Sequence, residues 1–417
     1  MRVLLLGSGG REHAIGWKLA QSPLVSEIVS LPGNPGLSEL GPLIEGVDPL
    51  NVGAVAEIAE QHRIDLVVVG PEAPLAAGIA DAVARKRIRV FGPTRGAARL
   101  ESSKAFAKEI MNRASVPTAL AESFESEEAA LSHLDSYEGP FVVKADGLAA
   151  GKGVLVTDDV DAAKSWVRDC LGGKFGDAGS RIVIEEHLQG PELSVFAVCD
   201  GVNAIPLEPA RDYKRRFDGD LGPNTGGMGS YSPVELPDGL VDQVLTEVIT
   251  PTLRQMAADG NPFLGFLYAG LVLTPSGPKV IEFNVRLGDP ETQAVLGRME
   301  SDFAELLIAA TEGDVSGQTV DWSNDFAVNV VLAAEGYPES PRKGDPITGL
   351  DQEFEDVHIF HAGTRFDGKR TVTNGGRVLN VVGFGDDLDS ARDTAYAACE
   401  AIQFKGKQLR TDIALPQ

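Results

Sequence analysis

Residues 279–293, KVIEFNVRLGDPETQ, decide how the chain is read. Val280, Ile281, Phe283, Val285 and Leu287 favour an extended backbone, and along a strand every second side chain shares a face. Glu282, Asn284 and Arg286 therefore project together at intervals of about 6.6 Å, while Phe283, Val285 and Leu287 bury the other side. A carboxylate and an amide oxygen are hard ligands that suit Mg²⁺ or Mn²⁺, and Mg²⁺ keeps part of its shell for water and phosphate oxygens. The neighbouring guanidinium can grip an anion. Gly288-Asp289-Pro290 ends the strand and can open a helix with Pro290 at its first position and Glu291 in its first turn. A polar stripe alone would ordinarily face solvent; this one runs straight into a Gly-Asp-Pro-Glu turn, which favours a site.

The 417 residues leave room for roughly two to four domains, and 43% hydrophobic residues suffice for a sizeable core. A formal net charge of -24 argues against nucleic-acid and anionic-membrane partners. An anionic substrate must be held by local cations and backbone N–H groups. Cys170, Cys199 and Cys399 are too few and too scattered for a disulfide framework or a zinc cluster. With no apolar run of membrane-spanning length, a soluble protein of a reducing cytoplasm is expected.

Residues 3–6 read as a buried strand leading through Gly7-Ser8-Gly9-Gly10-Arg11-Glu12-His13 into a helix over 11–20, a frame that presents N–H groups to a phosphate. Glu12 stands where a dinucleotide fingerprint needs glycine or alanine, and no acidic residue follows near 30–31, so a nicotinamide cofactor is not expected. A helix over 53–62, strand 66–69, the turn Gly70-Pro71-Glu72, a helix over 75–86 and strand 88–91 continue the alternation of a parallel sheet covered on both faces. Residues 95–113 read as one long helix carrying Lys104. Strands 141–144 and 154–157 flank Ala145-Asp146-Gly147-Leu148-Ala149-Ala150-Gly151-Lys152-Gly153. The glycine spacing and the strand that follows differ from a P-loop, so this is a hairpin flap over phosphates.

Strand 181–188, connector 189–192 and strand 193–198 can expose backbone groups to an adenine edge, with Glu192 beyond for ribose hydroxyls. Residues 211–233 form the longest irregular segment, with cations at Arg211, Lys214, Arg215 and Arg216 and an N–H nest at Thr225-Gly226-Gly227-Met228-Gly229. A helix over 239–258 and strand 263–273 lead through the 274–277 turn into the opening stretch, and helices near 294 and over 302–311 follow. From 326 onward, strands 328–332, 357–360 and 378–382 and a helix over 389–402 make a smaller α+β domain. His358 and His361 face opposite ways on a strand, so metal binding by histidine is not expected.

Lys144-Ala-Asp-Gly-Leu-Ala-Ala-Gly-Lys-Gly153, Gly222-Pro-Asn-Thr-Gly-Gly-Met-Gly229 and Arg286-Leu-Gly-Asp-Pro-Glu-Thr-Gln293, with the opening GSGGREHA and the Gly70-Pro71-Glu72 turn, closely resemble the phosphoribosylamine-glycine ligases (glycinamide ribonucleotide synthetases) of the ATP-grasp superfamily. The likeness covers essentially the whole chain. It implies an α/β and α+β protein: a Rossmann-like parallel-sheet domain over 1–100, a two-lobed ATP-grasp fold over 101–325 with its flap lobe at about 118–190, and a small C-terminal α+β domain over 326–417. The implied reaction joins glycine to 5-phosphoribosylamine at the expense of ATP, in purine biosynthesis.

By position, the resemblance implies that Lys104 and Lys144 hold ATP phosphates under a flap containing Gly147, Gly151, Lys152 and Gly153. Glu185, Glu186 and Leu188 would face adenine and Glu192 the ribose. Glu282 and Asn284 would bind Mg²⁺ (or Mn²⁺). Arg286, Asp212 and Lys214 would be catalytic and, with Thr225, Gly226, Gly227, Asp289, Pro290 and Glu291, would cradle glycine and the reacting phosphoryl group. Gly9, Gly10, Arg11, Glu12 and Glu72 would meet phosphoribosylamine. Leu287 stands where the motif usually has Phe, and residues 268–272 offer no second acidic metal ligand. Only small-molecule partners are implied, with a monomer compatible and the oligomeric state open. A sister ATP-grasp enzyme using another acid or amine, and a nucleotide sensor without turnover, are the competing readings.

Overall fold

A computed structural model of the protein describes residues 1–136, 138–149 and 152–415. Arg2–Gly7 is the centre of a parallel sheet ordered Glu27–Pro32, Arg2–Gly7, Leu66–Val69, Arg89–Phe91. Val3 to Leu6 are fully buried because helices cover both faces. The flap lobe is an antiparallel sheet ordered Ala121–Phe124, Ile182–Glu186, Phe141–Ala145, Val154–Thr157. A second antiparallel sheet, ordered Ala204–Pro206, Glu192–Gly201, Phe263–Thr274, Gly277–Asn284, faces it. Thr118 ties the two together: Val280 N–H donates to the Pro117 carbonyl at 2.8 Å, and the Thr118 hydroxyl to the Val280 carbonyl at 2.7 Å.

The stretch at 279–293 is less regular than its alternation implies. Glu282 pairs with Gly270 but Val280 with Leu271, so Ile281 is an extra, bulged residue. The bulge resets the parity of the strand. Val280 joins Phe283 and Val285 in the core while Glu282 and Asn284 face the cleft. The strand ends at Asn284, so Arg286 reaches the cleft from the bend that follows.

Several expected elements are corrected. The helix over 95–113 is two, Arg99–Ser102 and Lys104–Arg113, because Ser103 is extended and its hydroxyl caps the second by accepting from Phe106 N–H. The helix over 75–86 is broken by left-handed Gly78 (φ +93°) into Glu72–Ala77 and Ile79–Arg85. The segment over 211–233 is not irregular. Arg215–Phe217 and Leu221–Asn224 form a hairpin, and Arg211–Asp212 and Gly229–Ser232 are strands. The last two extend the C-terminal sheet, ordered Arg211–Asp212, Gly229–Ser232, Phe326–Ala333, Arg377–Gly385, Val357–His361 and backed by the helix Leu388–Ala401.

The N- and C-terminal parts meet directly. The His13 ring packs on Phe360, and its Nδ1 accepts from His361 N–H at 2.8 Å. Burial, with His361 beside it, pushes the His13 ring down to about 3, and burial takes His361 to about 4. Above about pH 4 both rings are neutral in the fold, whereas in the unfolded chain they protonate below about pH 6.5, so stability is lost progressively as pH falls from about 6.5 toward the folded values of about 4 and 3. At pH 5.5 each ring costs about 1.4 kcal/mol of stability. His13→Gln keeps an acceptor for His361 N–H and should lose less stability than wild type between pH 7.5 and 5.5 in urea melts. Comparing the two proteins cancels every other titrating group; equal losses would refute the assignment to His13.

Candidate active site

A cleft of about 520 Å³ lies between the flap lobe, the second sheet and the N-terminal domain, within the range of small-molecule sites. Lys104 starts its helix at the cleft wall, and its ammonium donates to the Gly147 carbonyl at 3.2 Å. Lys144, on the strand Phe141–Ala145, donates to the carbonyl of the bulged Ile281 at 3.2 Å and pairs with Glu185 at 2.9 Å. The bulge thus supplies a main-chain acceptor at the point where the two lobes face each other. Asp146 latches the flap's base to the Lys104 helix, accepting from Ala105 N–H at 2.7 Å and from the Ser103 hydroxyl at 3.1 Å. Removing these charge-assisted bonds in Asp146→Ala should raise KM for ATP about tenfold with kcat little changed. An unchanged KM in steady-state assays would refute the latch.

Glu282 and Asn284 line the cleft. Burial raises the Glu282 pKa, but Lys214, Lys144, Lys104 and Arg286 outweigh it and hold the carboxyl below its ordinary value. Lys214 pairs with Glu192 at 3.0 Å and lies 3.9 Å from Asp212. Burial opposes its charge, yet Asp212, Glu192, Tyr268 and Glu282 keep it protonated far into the alkaline range. Burial pushes Asp212 up to about 7, opposed by Lys214 at 3.9 Å and helped by Glu291 and Glu192.

Arg286 bridges Glu101 at 2.8 Å and Glu72 at 3.3 Å. Burial disfavours its charge, but the two carboxylates raise its pKa above the ordinary arginine value. Asp289 is held down by Arg377 and Arg11 against the burial that raises it.

Of the residues singled out by sequence, Lys104, Lys144, Gly153, Glu185, Glu186, Leu188, Glu192, Asp212, Lys214, Thr225, Gly226, Glu282, Asn284, Arg286, Asp289, Glu291, Arg11 and Glu72 converge on this cleft. Gly151 lies outside the described residues. Gly147 and Lys152 do not line the cleft, and Lys152 is exposed. Gly9, Gly10, Glu12, Gly227 and Pro290 lie behind the lining. The Gly9 N–H is taken by the Glu12 carboxylate at 2.6 Å, and Glu12 also pairs with Arg11 at 2.6 Å. The anion at this helix N-terminus is therefore the protein's own. Gly227 (φ +114°) lets the loop press against Pro290: a Cβ there would fall 2.3 Å from Pro290 Cδ.

Of the four cations over 211–216, only Lys214 lines the cleft; Arg215 donates to the Gly222 carbonyl and Arg216 to the Tyr337 carbonyl. Sequence reasoning missed Glu101, Lys108 and Arg377. Lys108 pairs with Glu185 at 3.4 Å, and burial lowers it to about 8. Arg377 enters from the C-terminal sheet, pairing with Asp289 at 3.2 Å and donating to the Gly226 carbonyl.

Glu282 and Asn284 offer two hard oxygens with no hydrogen bond or ion pair among the described residues, which fits a Mg²⁺ or Mn²⁺ that takes its remaining ligands from phosphates and water. Among those residues no group of three or more His, Cys, Asp or Glu converges on a metal. No helix described is long and apolar enough to cross a membrane.

Lysines from two facing lobes over an acidic strand end, in a nucleotide-sized cleft, define an ATP-grasp ligase. Three family descriptions match in succession: the phosphoribosylglycinamide synthetase N domain over residues 1–101, its ATP-grasp (A) domain over 102–292 and its C domain over 327–416. The chain belongs to the phosphoribosylamine-glycine ligase family, whose enzymes carry out glycinamide ribonucleotide synthesis in purine biosynthesis. Among its relatives, the phosphoribosylamine-glycine ligase of Caulobacter vibrioides is 50% identical over 99% of this chain and 97% of its own length. That of Streptomyces coelicolor is 50% identical over 99% of each. The crystal structure of phosphoribosylamine-glycine ligase from Thermotoga maritima is 38% identical, with a TM-score of 0.89 over 99% of this chain and 100% of that one. A biotin carboxylase from Campylobacter jejuni, 17% identical, shares the fold (TM-score 0.75, 98% of this chain and 92% of that one).

Proposed function

We propose that the chain phosphorylates the glycine carboxylate with ATP and passes the resulting glycyl phosphate to the amine of 5-phosphoribosylamine. A carboxylate is a poor acyl donor to an amine. Transfer of the γ-phosphoryl group to a carboxylate oxygen makes a mixed anhydride. The amine nitrogen then attacks the acyl carbon, the C–O bond to phosphate breaks, and the amine gives up a proton.

The observation that carries this reading is the convergence of Lys104, Lys144, Lys214 and Arg286 around Glu282 in one cleft. Lys104 and Lys144 hold the phosphates as the flap closes over them. Glu185 to Leu188 bound the adenine end of the cleft, and Glu192 the ribose. Arg286 and Lys214 meet the glycine carboxylate and the charge building up on the phosphoryl oxygens. Asp212 stands beside them at a carboxyl pKa of about 7, suited to receive the amine's proton near neutral pH. Glu72 and Arg11 bind the phosphoribosylamine side.

Glu282 and Asn284 would hold a divalent cation, Mg²⁺ or Mn²⁺, which neutralises charge on the phosphates. No side-chain nucleophile is required, and exclusion of water by the flap protects the anhydride from hydrolysis. The absence of any membrane-spanning helix among the described residues is compatible with a cytoplasmic enzyme. ADP release, measured with each of the three substrates withheld in turn, tests the reading. Full turnover requires all three; ADP formation unchanged without glycine would assign another acid.

A further inference from the structure

The tip of the hairpin between Lys214 and Thr225 is held by the last residues of the chain. Arg410, whose side chain is wholly buried, forks onto Asp412 with Nε to Oδ1 and Nη2 to Oδ2 both at 2.7 Å. Its third nitrogen donates to the Arg215 carbonyl and to Asp220, each at 3.2 Å. Asp412 in turn accepts from Gly219 N–H at 2.8 Å, and Asp218 from Thr411 N–H at 2.8 Å. Every carboxylate of the hairpin tip is thus engaged by the terminal segment, which Gln408 pins to the strand Phe326–Ala333 through Ala333.

The same guanidinium lies over the Tyr213 ring, 5.0 Å from its centroid, and the Tyr213 hydroxyl accepts from Ala414 N–H at 2.9 Å. Tyr213 is the residue between Asp212 and Lys214. Its side chain is buried in the C-terminal core while its two neighbours line the cleft. In an extended segment, fixing one side chain on one face fixes its neighbours on the other. Replacing a buried ion cluster by apolar groups is often neutral or stabilising, so stability alone is a weak account of a fully buried arginine here.

We propose that Arg410 is a positioning residue for the ligation: by clamping Tyr213 and the Arg215 carbonyl from the C-terminal segment, it sets Asp212 and Lys214 in register with the glycine and phosphoryl end of the cleft. The proposal rests on the reading of that pair as serving the ligation. It makes the C-terminal segment, remote in sequence from the ATP-binding lobes, a determinant of glycine use and not of nucleotide binding.

The test is a comparison of Arg410→Gln, Arg410→Lys, Tyr213→Phe, Lys214→Met and the Lys214→Met/Arg410→Gln double variant of the full chain, with circular-dichroism melts alongside. Arg410→Gln should lower kcat/KM for glycine by about 10- to 100-fold, the scale of an ångström-level misplacement, with the Kd for ATP within about twofold of wild type. Arg410→Lys, which keeps the cation over the ring but loses the fork, should recover part of this.

Acting through Lys214, the Arg410→Gln effect should shrink to less than about threefold in the Lys214→Met background. A folded Arg410→Gln with wild-type glycine kinetics, or an effect that multiplies in full in the double variant, overturns the proposal. Should Arg410→Gln fail to fold, Tyr213→Phe decides: it removes only the hydroxyl that anchors Ala414, and unchanged kcat/KM for glycine overturns the proposal. Near-normal kinetics in Lys214→Met would remove the reading of the pair and the proposal with it. A crippled Lys214→Met beside an unaffected Arg410→Gln removes the proposal alone.

Discussion

Glu282→Ala is expected to lower kcat by about 10³-fold or more while the protein melts within a few degrees of wild type. A cation that neutralises transferring phosphoryl charge contributes several kcal/mol, and each 1.36 kcal/mol is a factor of ten in rate. With Glu282 gone, Asn284 alone would remain to hold it. The fold should tolerate the change because the Glu282 backbone keeps its pairing with Gly270, while its carboxylate makes no hydrogen bond or ion pair within 4 Å among the described residues. Its charge acts instead on Lys104, Lys144 and Lys214 around it. Those lysines remain in the variant, so ATP should still bind, and the loss should fall on turnover and on the divalent-ion concentration needed for half-maximal rate. Turnover near wild type at ordinary Mg²⁺ would remove Glu282 from the metal site.

The convergence of residues on that proposed site was largely legible in sequence, for a physical reason. Glu282, Asn284, Arg286, Asp289 and Glu291 lie within ten residues, so strand and turn geometry alone bring them to one rim. Lys144 was equally visible, as a lysine closing an apolar strand before a glycine-rich turn. What stayed hidden depends on contacts between distant segments. Val280 shares its parity with Glu282 and would face the cleft in an unbroken ladder; only pairing with Gly270 and Leu271 creates the bulge that turns it into the core.

Residues 211–233 read as irregular because their strands are two to four residues long, too short to show a period, and because their partner strand begins at Phe326. Arg377 and Arg410 look like any solvated arginine in sequence; their partners, Asp289 and the Arg215 carbonyl, lie 88 to 195 residues away. Glu101 had a faint local signal, three residues before Lys104. The expected continuous helix set no reason for it to turn toward Arg286. The break at Ser103 gives that helix pair its bend.

Glu101 makes Arg286 the second position of large effect. Its Oε1 pairs with the guanidinium at 2.8 Å and its Oε2 accepts from Val285 N–H at 2.7 Å. Burial still pushes this carboxyl up to about 7, with the nearby Glu72 adding to the rise and Arg286 opposing it. Arg286→Met would leave Glu101 buried without its cation, and breaking a buried pair from one side costs about 3–5 kcal/mol. Glu72 is less affected because its side chain is 30% exposed and can hydrate.

The same change removes the guanidinium from the end of the cleft proposed to hold the reacting groups, where loss of such a cation would be worth about 10³- to 10⁵-fold in rate. Stability and catalysis should then separate in Arg286→Met/Glu101→Leu, in which an apolar pair replaces the ionic one. Melting should return most of the way to wild type, since the orphaned carboxylate is gone, while turnover stays as low as in Arg286→Met. Arg286→Lys should fall between, because an ammonium keeps the charge but cannot span Glu101 and Glu72 together. If the double variant regained both its melting temperature and its turnover, Arg286 would be a structural counter-ion to Glu101, and the charge that receives the glycine carboxylate would have to be sought at Lys214 or Arg377.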